Sequence, residues 1–238
     1  MAGAGNGSKK GLAWVGGGLL VLIVAFVAVY FAFFRGSGKA PVSLSTSDSS
    51  QASVGDPSGT WHIVKGDNTL AGYRVREKLA KLPAQSDAVG QTHDVTGSMK
   101  VQRTAEGYTI SELQVEANLQ TLKSDESKRD QRIKTMGIQT DQYPKATFVS
   151  PGPVFVPAAS IASNQISMDV PGDLTLHGVT KHVTIPVQAK VVGNQIEVVG
   201  SLTFPMSDYS IQPPSIPPIV QVEPQGTMEF KVRLTKAA

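Results

Sequence analysis

Val183-Thr184-Ile185-Pro186-Val187-Gln188-Ala189-Lys190-Val191 sets an apolar side chain at every other position. Successive side chains of an extended chain point to opposite faces, so this alternation marks a strand with one face buried. The pattern recurs at 111–120, where Leu113, Val115, Ala117 and Leu119 oppose Glu112, Gln114, Glu116 and Asn118, and at 228–234, where Phe230 and Val232 oppose Glu229, Lys231 and Arg233. The series Met168, Val170, Gly172, Leu174, Leu176 and the series Ile196, Val198, Gly200, Leu202, Phe204 complete the set. Further strands are expected at 60–65, 70–77, 92–102 and 146–155, giving eight or nine in all. Turn signals separate them, at Lys65-Gly66-Asp67-Asn68, Ala105-Glu106-Gly107, His177-Gly178 and the short hairpin Gly193-Asn194.

One segment breaks the period. Residues 124–137 read as a short helix on the surface or over an opening, with Ser124 as its cap, acids in the first turn, Lys134 in the last and Gly137 to close it. Antiparallel strands in this number must hide their edges, and closure into a barrel does so completely. The predicted fold is therefore all-β, an antiparallel eight-stranded β-barrel with one short helix. Such a barrel is filled by side chains or holds one small ligand. Pattern alone leaves a filled barrel, a hollow one and a sandwich all open.

Ahead of this domain, residues 11–34 (GLAWVGGGLLVLIVAFVAVYFAFF) carry no charge. About 20 such residues cross a bilayer core as a helix, and Trp14 and Tyr30 lie where amphipathic rings favour the interface. A cleaved export signal is the competing reading, but its apolar stretch is about 7–15 residues and ends in a small-residue cleavage site. The expected organisation is a cytoplasmic tail at 1–10, a transmembrane helix at 11–34, a flexible Ser/Gly-rich linker at 35–58 and the barrel domain at 59–238. The linker's reach is on the order of 25 Å, and the domain is placed on the extracytoplasmic side, anchored to the cell membrane or, on the competing reading, secreted.

The formal charge of +3 does not mark a nucleic-acid binder. Lys9, Lys10, Arg35 and Lys39 flank the apolar run, and the remaining 18 bases face 19 acids. Phosphate recognition needs its basic excess clustered on the folded domain. No cysteine is present, which excludes disulfides, thiolate catalysis and cysteine metal sites. The four histidines, His62, His93, His177 and His182, show no metal-ligand spacing. No nucleophile elbow or phosphate-binding loop occurs, so no enzyme activity and no covalent cofactor are expected.

Three stretches, in order, resemble the YceI-like polyisoprenoid-binding family. Ser127-Lys128-Arg129-Asp130-Gln131-Arg132-Ile133 is similar to the family's R-D segment on a short helix. Tyr143-Pro144-Lys145-Ala146-Thr147-Phe148 looks like its Y-P-x-x-x-F approach to a strand. Gly172-Asp173-Leu174-Thr175-Leu176-His177-Gly178-Val179-Thr180-Lys181 is close to its G-x-L-T-x-H-G-V-T-K hairpin. The sequence departs from the family where Arg74-Val75-Arg76-Glu77 stands in place of a His-Ser pair, and in the proline-rich loop Gln212-Pro213-Pro214-Ser215-Ile216-Pro217-Pro218-Ile219.

The resemblance implies a lipocalin-like barrel around a tunnel that takes an isoprenoid lipid, a quinone or polyprenyl tail. On that reading Phe148, Leu174, Leu176, Ile185, Val187, Leu202, Phe204, Phe230 and Val232 point inward as ligand-binding residues. Arg129, Asp130 and Arg132 then face the mouth and hold a head group, since Arg forks suit phosphate oxygens. The alternative for the helix is a solvated surface with an Asp125–Arg129 pair. The expected function is carriage, storage or sequestration of that lipid without catalysis. A structural or partner-binding envelope domain with a filled barrel is the alternative. Protein partners and oligomeric state, a homodimer included, are left open.

Overall fold

A computed structural model of the chain describes residues 39–45, 55–80, 85–161 and 165–237. The tail at 1–10, the apolar run at 11–34 and much of the linker lie outside them. Among the described residues no helix is long and apolar enough to cross a membrane.

The strands are β1 (Gly59–Ile63), β2 (Leu70–Leu79), β3 (Gln85–Thr92), β4 (Val95–Arg103), β5 (Gly107–Asn118), β6 (Lys145–Val149), β7 (Val154–Pro157), β8 (Gln165–Leu176), β9 (Val179–Val192), β10 (Gln195–Pro205) and β11 (Val220–Lys236). Helix α1 (Ser127–Thr135) follows β5, and a single turn, α2 (Ala158–Ile161), follows β7. The sheet closes in the order β1-β4-β5-β6-β8-β9-β10-β11 and back to β1. That ring is an antiparallel barrel of eight positions, and the remaining strands extend positions already counted. Along β11, Val220–Lys231 pairs with β2 and Leu234–Lys236 with β1, so β1 and β2 share one flank. β5 likewise pairs with β6 over one half and with β7 over the other.

The alternating pattern decides which face turns inward, and two irregularities correct its phase. Glu112 has φ +53 beside a register shift between Ser98 and Lys100, so the inward side of β5 changes from Tyr108 and Ile110 to Leu113, Val115 and Ala117. The expected strand 146–155 is two strands. Ser150-Pro151-Gly152-Pro153 interrupts it, because proline supplies no ladder donor. β3 was not expected. Gln85-Ser86-Asp87-Ala88-Val89-Gly90-Gln91-Thr92 lacks alternation, and its last five residues are buried on both faces.

The helix begins later than expected. Glu126 is the cap, accepting from the Lys128 N–H, while Ser124 instead donates to the Asp130 carboxylate. Arg132 and Lys134 in the last turn interact favourably with the helix dipole, and Gly137 at φ +65 ends the run. The hairpin at His177-Gly178 has φ +52 and +74, the mirror-image turn whose twist matches flanking strands.

Candidate functional site

The inward faces leave open space between them. They enclose an apolar lumen of about 340 Å³, within the range of sites that hold one small molecule. Its lining on β11 runs from Val220 to Leu234. At about 3.3 Å per residue and a strand tilt near 40°, that stretch covers roughly 30–35 Å along the barrel. A volume of this size drawn out over that length is a tunnel for one hydrocarbon chain.

Three aromatic side chains of the lining pack against glycines of neighbouring strands. Tyr73 faces Gly90, Phe230 faces Gly200, and Phe148 lies diagonal to Gly172 on the neighbouring strand. A Cβ at each glycine would collide with the ring. The rings therefore lie flat over bare backbone, an arrangement also used to protect sheet glycines.

The two ends differ. Where β1, β4 and the end of β11 meet, Trp61 is fully buried among Val95, Met99, Val101, Ala117, Val232 and Leu234, and donates from its indole N–H to the Pro57 carbonyl at 2.8 Å. At the opposite end α1 and the loop before β11 cover the barrel. The charged lining residues Glu77, Arg129 and Arg132 all lie there. Arg129 Nη2 sits 2.7 Å from Glu77 Oε1 and Nη1 sits 2.5 Å from Asp125 Oδ1. Burial pulls the Arg129 pKa down, but the Asp125 and Glu77 carboxylates outweigh it and raise the value. The Tyr73 phenol is pushed well up by burial, so it stays neutral.

The resemblance segments converge on this end. His177 is bonded through Nδ1 to the Tyr209 carbonyl oxygen at 3.0 Å and through Nε2 to Gln139 Oε1 at 3.2 Å, with the Tyr143 ring 4.3 Å away. His182 pairs with Asp173 at 2.9 Å on the exposed hairpin. Among the described residues no cluster of His, Asp and Glu could hold a metal ion.

Of the expected site residues, Phe148, Leu174, Leu176, Ile185, Val187, Phe204, Phe230 and Val232 line the lumen, and so does Arg129. Leu202 is not in the lining and packs against the cluster of Leu174, Met206, Tyr209 and Ile211. Asp130 does not line it either. Its Oδ1 accepts from the Ser124 N–H at 2.8 Å and hydroxyl at 2.6 Å, which fixes the start of the helix. Among the lining residues that sequence reasoning did not name as ligand-binding are Tyr73, Val75, Met206, Ile211 and Pro214. Ala71, Tyr73 and Val75 carried a usable alternation, whereas nothing local marks Pro214.

A second polar cluster lies on the outer wall. Residues 39–45, inside the stretch read as linker, run along it. Ser45 donates from N–H and Oγ to the Glu197 carboxylate at 2.6 and 2.8 Å, and Arg233 Nε binds the same group at 3.0 Å. Lys190 donates to the Ser45 carbonyl, Lys231 to Ser45 Oγ at 2.9 Å, and Arg74 to the Lys39 carbonyl at 2.7 Å. Arg74 also pairs with buried Glu229 at 3.0 Å. Glu197 is 0 % exposed. Burial acts to raise its pKa, but the Ser45 and Arg233 hydrogen bonds and the Lys231 charge hold it below the ordinary glutamate range.

Comparison with known proteins gives the same fold. A polyisoprenoid binding domain from Saccharophagus degradans, implicated in plant cell wall breakdown, superposes with a TM-score of 0.55 over 74% of this chain and 98% of that one, at 16% identity. Protein YceI of Shigella flexneri is 34% identical over 80 residues, 33% of this chain and 37% of that protein. The UPF0312 protein VPA0850 of Vibrio parahaemolyticus is 31% identical over 108 residues, 42% of this chain and 53% of that protein. The chain thus matches about a third to a half of these relatives' length. The YceI-like domain matches residues 61–234, nearly the whole barrel, and the chain belongs to the YceI-like family.

Proposed function

We propose that this chain binds one isoprenoid lipid, a quinone or polyprenyl molecule, with its tail along the barrel axis and its head at the α1 end. The chain carries, stores or sequesters that lipid without altering it. The apolar run at 11–34 anchors the barrel on the extracytoplasmic side of the membrane. The observation that carries the reading is the continuous apolar lumen, charged at one end only. Each buried methylene contributes about 0.8 kcal/mol, so a long tail is held without a strong polar contact. The isoprenoid class is favoured by the resemblance and by a domain of the same fold that is described as polyisoprenoid binding.

The test is mass spectrometry of an organic extract of the purified full chain, with the bound lipid counted per protein. One isoprenoid per chain is expected. An extract with no apolar molecule near stoichiometry overturns the reading, and bound straight-chain fatty acids overturn the isoprenoid part of it.

A further inference from the structure

Two elements cover the charged end of the lumen, and little joins them. Gly137, just after α1, lies against the Pro214 ring, where an added Cβ would come within 3.4 Å of Cγ. Both residues line the lumen. Among the described residues no hydrogen bond or ion pair links residues 136–138 to residues 212–219. A seam closed by apolar contact alone opens without leaving a buried polar group unpaired.

Met136 directly precedes Gly137, and Ile219 ends the proline loop, where its carbonyl accepts from the Ala80 N–H; they are 42% and 62% exposed. A single exposed apolar side chain needs no explanation. A pair flanking one opening, at the only end of the lumen that carries charge, does. The helix at this end is basic, with Lys128, Arg129, Arg132 and Lys134 against Asp130. Lys128 and Lys134 are exposed, Arg132 is half-buried, and none of the three forms an ion pair among the described residues. Asp130 is the one acid within α1, while Asp125, which pairs with Arg129, and the cap Glu126 stand before its first turn. Exposed apolar side chains with unpaired cations beside them suit the surface of an anionic bilayer, where the apolar groups enter the acyl boundary and the cations meet lipid phosphates.

We propose that the seam between the end of α1 and the proline loop is the portal of the lumen, and that it opens onto an anionic bilayer into which Met136 and Ile219 insert. The inference rests on the lipid-binding reading and adds the route. The tail enters first, and the head comes to rest against Arg129 and Arg132.

The absence of native cysteine makes single labels unambiguous. Met136→Cys, Ile219→Cys and, as a control, Phe155→Cys on the outer wall are labelled with a polarity-sensitive dye. The full chain is then reconstituted in phosphatidylcholine vesicles with and without phosphatidylglycerol. Labels at 136 and 219 are expected to shift to the blue and to be quenched by bilayer-embedded quencher several-fold more than the label at 155, and more strongly with phosphatidylglycerol. The variants Met136→Glu and Ile219→Glu should slow loading of a fluorescent polyprenyl probe about tenfold while leaving the amount bound at equilibrium unchanged. Equal responses at all three labels, burial only on adding a second protein, or unchanged loading rates overturn the proposal. Lipid that still co-purifies with a chain whose labels stay in water sinks the portal and spares the binding reading, and the reverse result does the opposite.

Discussion

At Gly90, Gly172 and Gly200 the rings of Tyr73, Phe148 and Phe230 lie where a side chain would otherwise stand. Replacing Gly200 by valine must therefore drive Phe230 off the wall and into the lumen. Gly200→Val is expected to cost about 1–3 kcal/mol, the usual range for overpacking, and to reduce lipid retained per chain. Thermal unfolding and lipid counting check the two effects separately, and unchanged lipid content would show that the ring does not gate the space. Arg129 offers a second test. Arg129→Ala leaves Glu77 buried without its cation, which costs roughly 3–5 kcal/mol. The double change Arg129→Met with Glu77→Leu should recover much of that in denaturant unfolding while removing the paired charges from the lumen's end. Arg129 was named through the family-like segment 127–133 rather than from any pattern of its own, and the structure places it in the lumen lining. Asp130 and Leu202 lie outside that lining. The first is taken by Ser124 and the second by a satellite cluster, and neither contact leaves a mark in local sequence.

Among elements, α1 is held by little. Ile133 is its only buried residue, packed with Leu119 and Leu122, and the Arg129–Glu77 pair is the other tie to the barrel. Ile133→Ala is expected to speed exchange of bound lipid while the barrel's own unfolding midpoint changes less than for a wall residue such as Leu174→Ala, which should cost about 2–5 kcal/mol. Exchange kinetics of a fluorescent tail alongside urea unfolding distinguish the two. The stretch 39–45 carries a pH prediction. The lowered pKa of Glu197 means that its contribution to docking is complete above the ordinary glutamate value of about 4.3 and is lost as pH falls through the lowered native value. Protection of 39–45 against hydrogen exchange, taken relative to the intrinsic rate at each pH, should therefore hold at neutral pH and fall only below about pH 4, whereas Glu197→Gln should lower it at neutral pH. This docking and β3 were the least legible parts of the fold. Both depend on partners far away in sequence: Gln91 of β3 meets Lys39 and Lys123, and Ser45 meets Glu197. Periodicity reads only an element's own faces, so a strand buried on both sides, as β3 is over Ala88–Thr92, carries no alternation to read.

For the whole molecule, the number of alternating strands and their need to hide edges favoured a barrel over a sandwich, and the resemblance decided between them. Whether the barrel is hollow did not follow, because an inward Leu or Ile looks the same in sequence whether it meets a side chain or a ligand. The structure places Ile185 and Val187 on β9 and Val198 on β10 along a shared open lumen. Methyl-labelled nuclear magnetic resonance of the lipid-loaded chain tests this most directly. Methyls of Ile185 and Val198, and of Ile211 toward the capped end, should show contacts to protons of the bound tail and none to methyls across the barrel. Direct contacts between facing methyls, with no signal from a bound tail, would contradict the account.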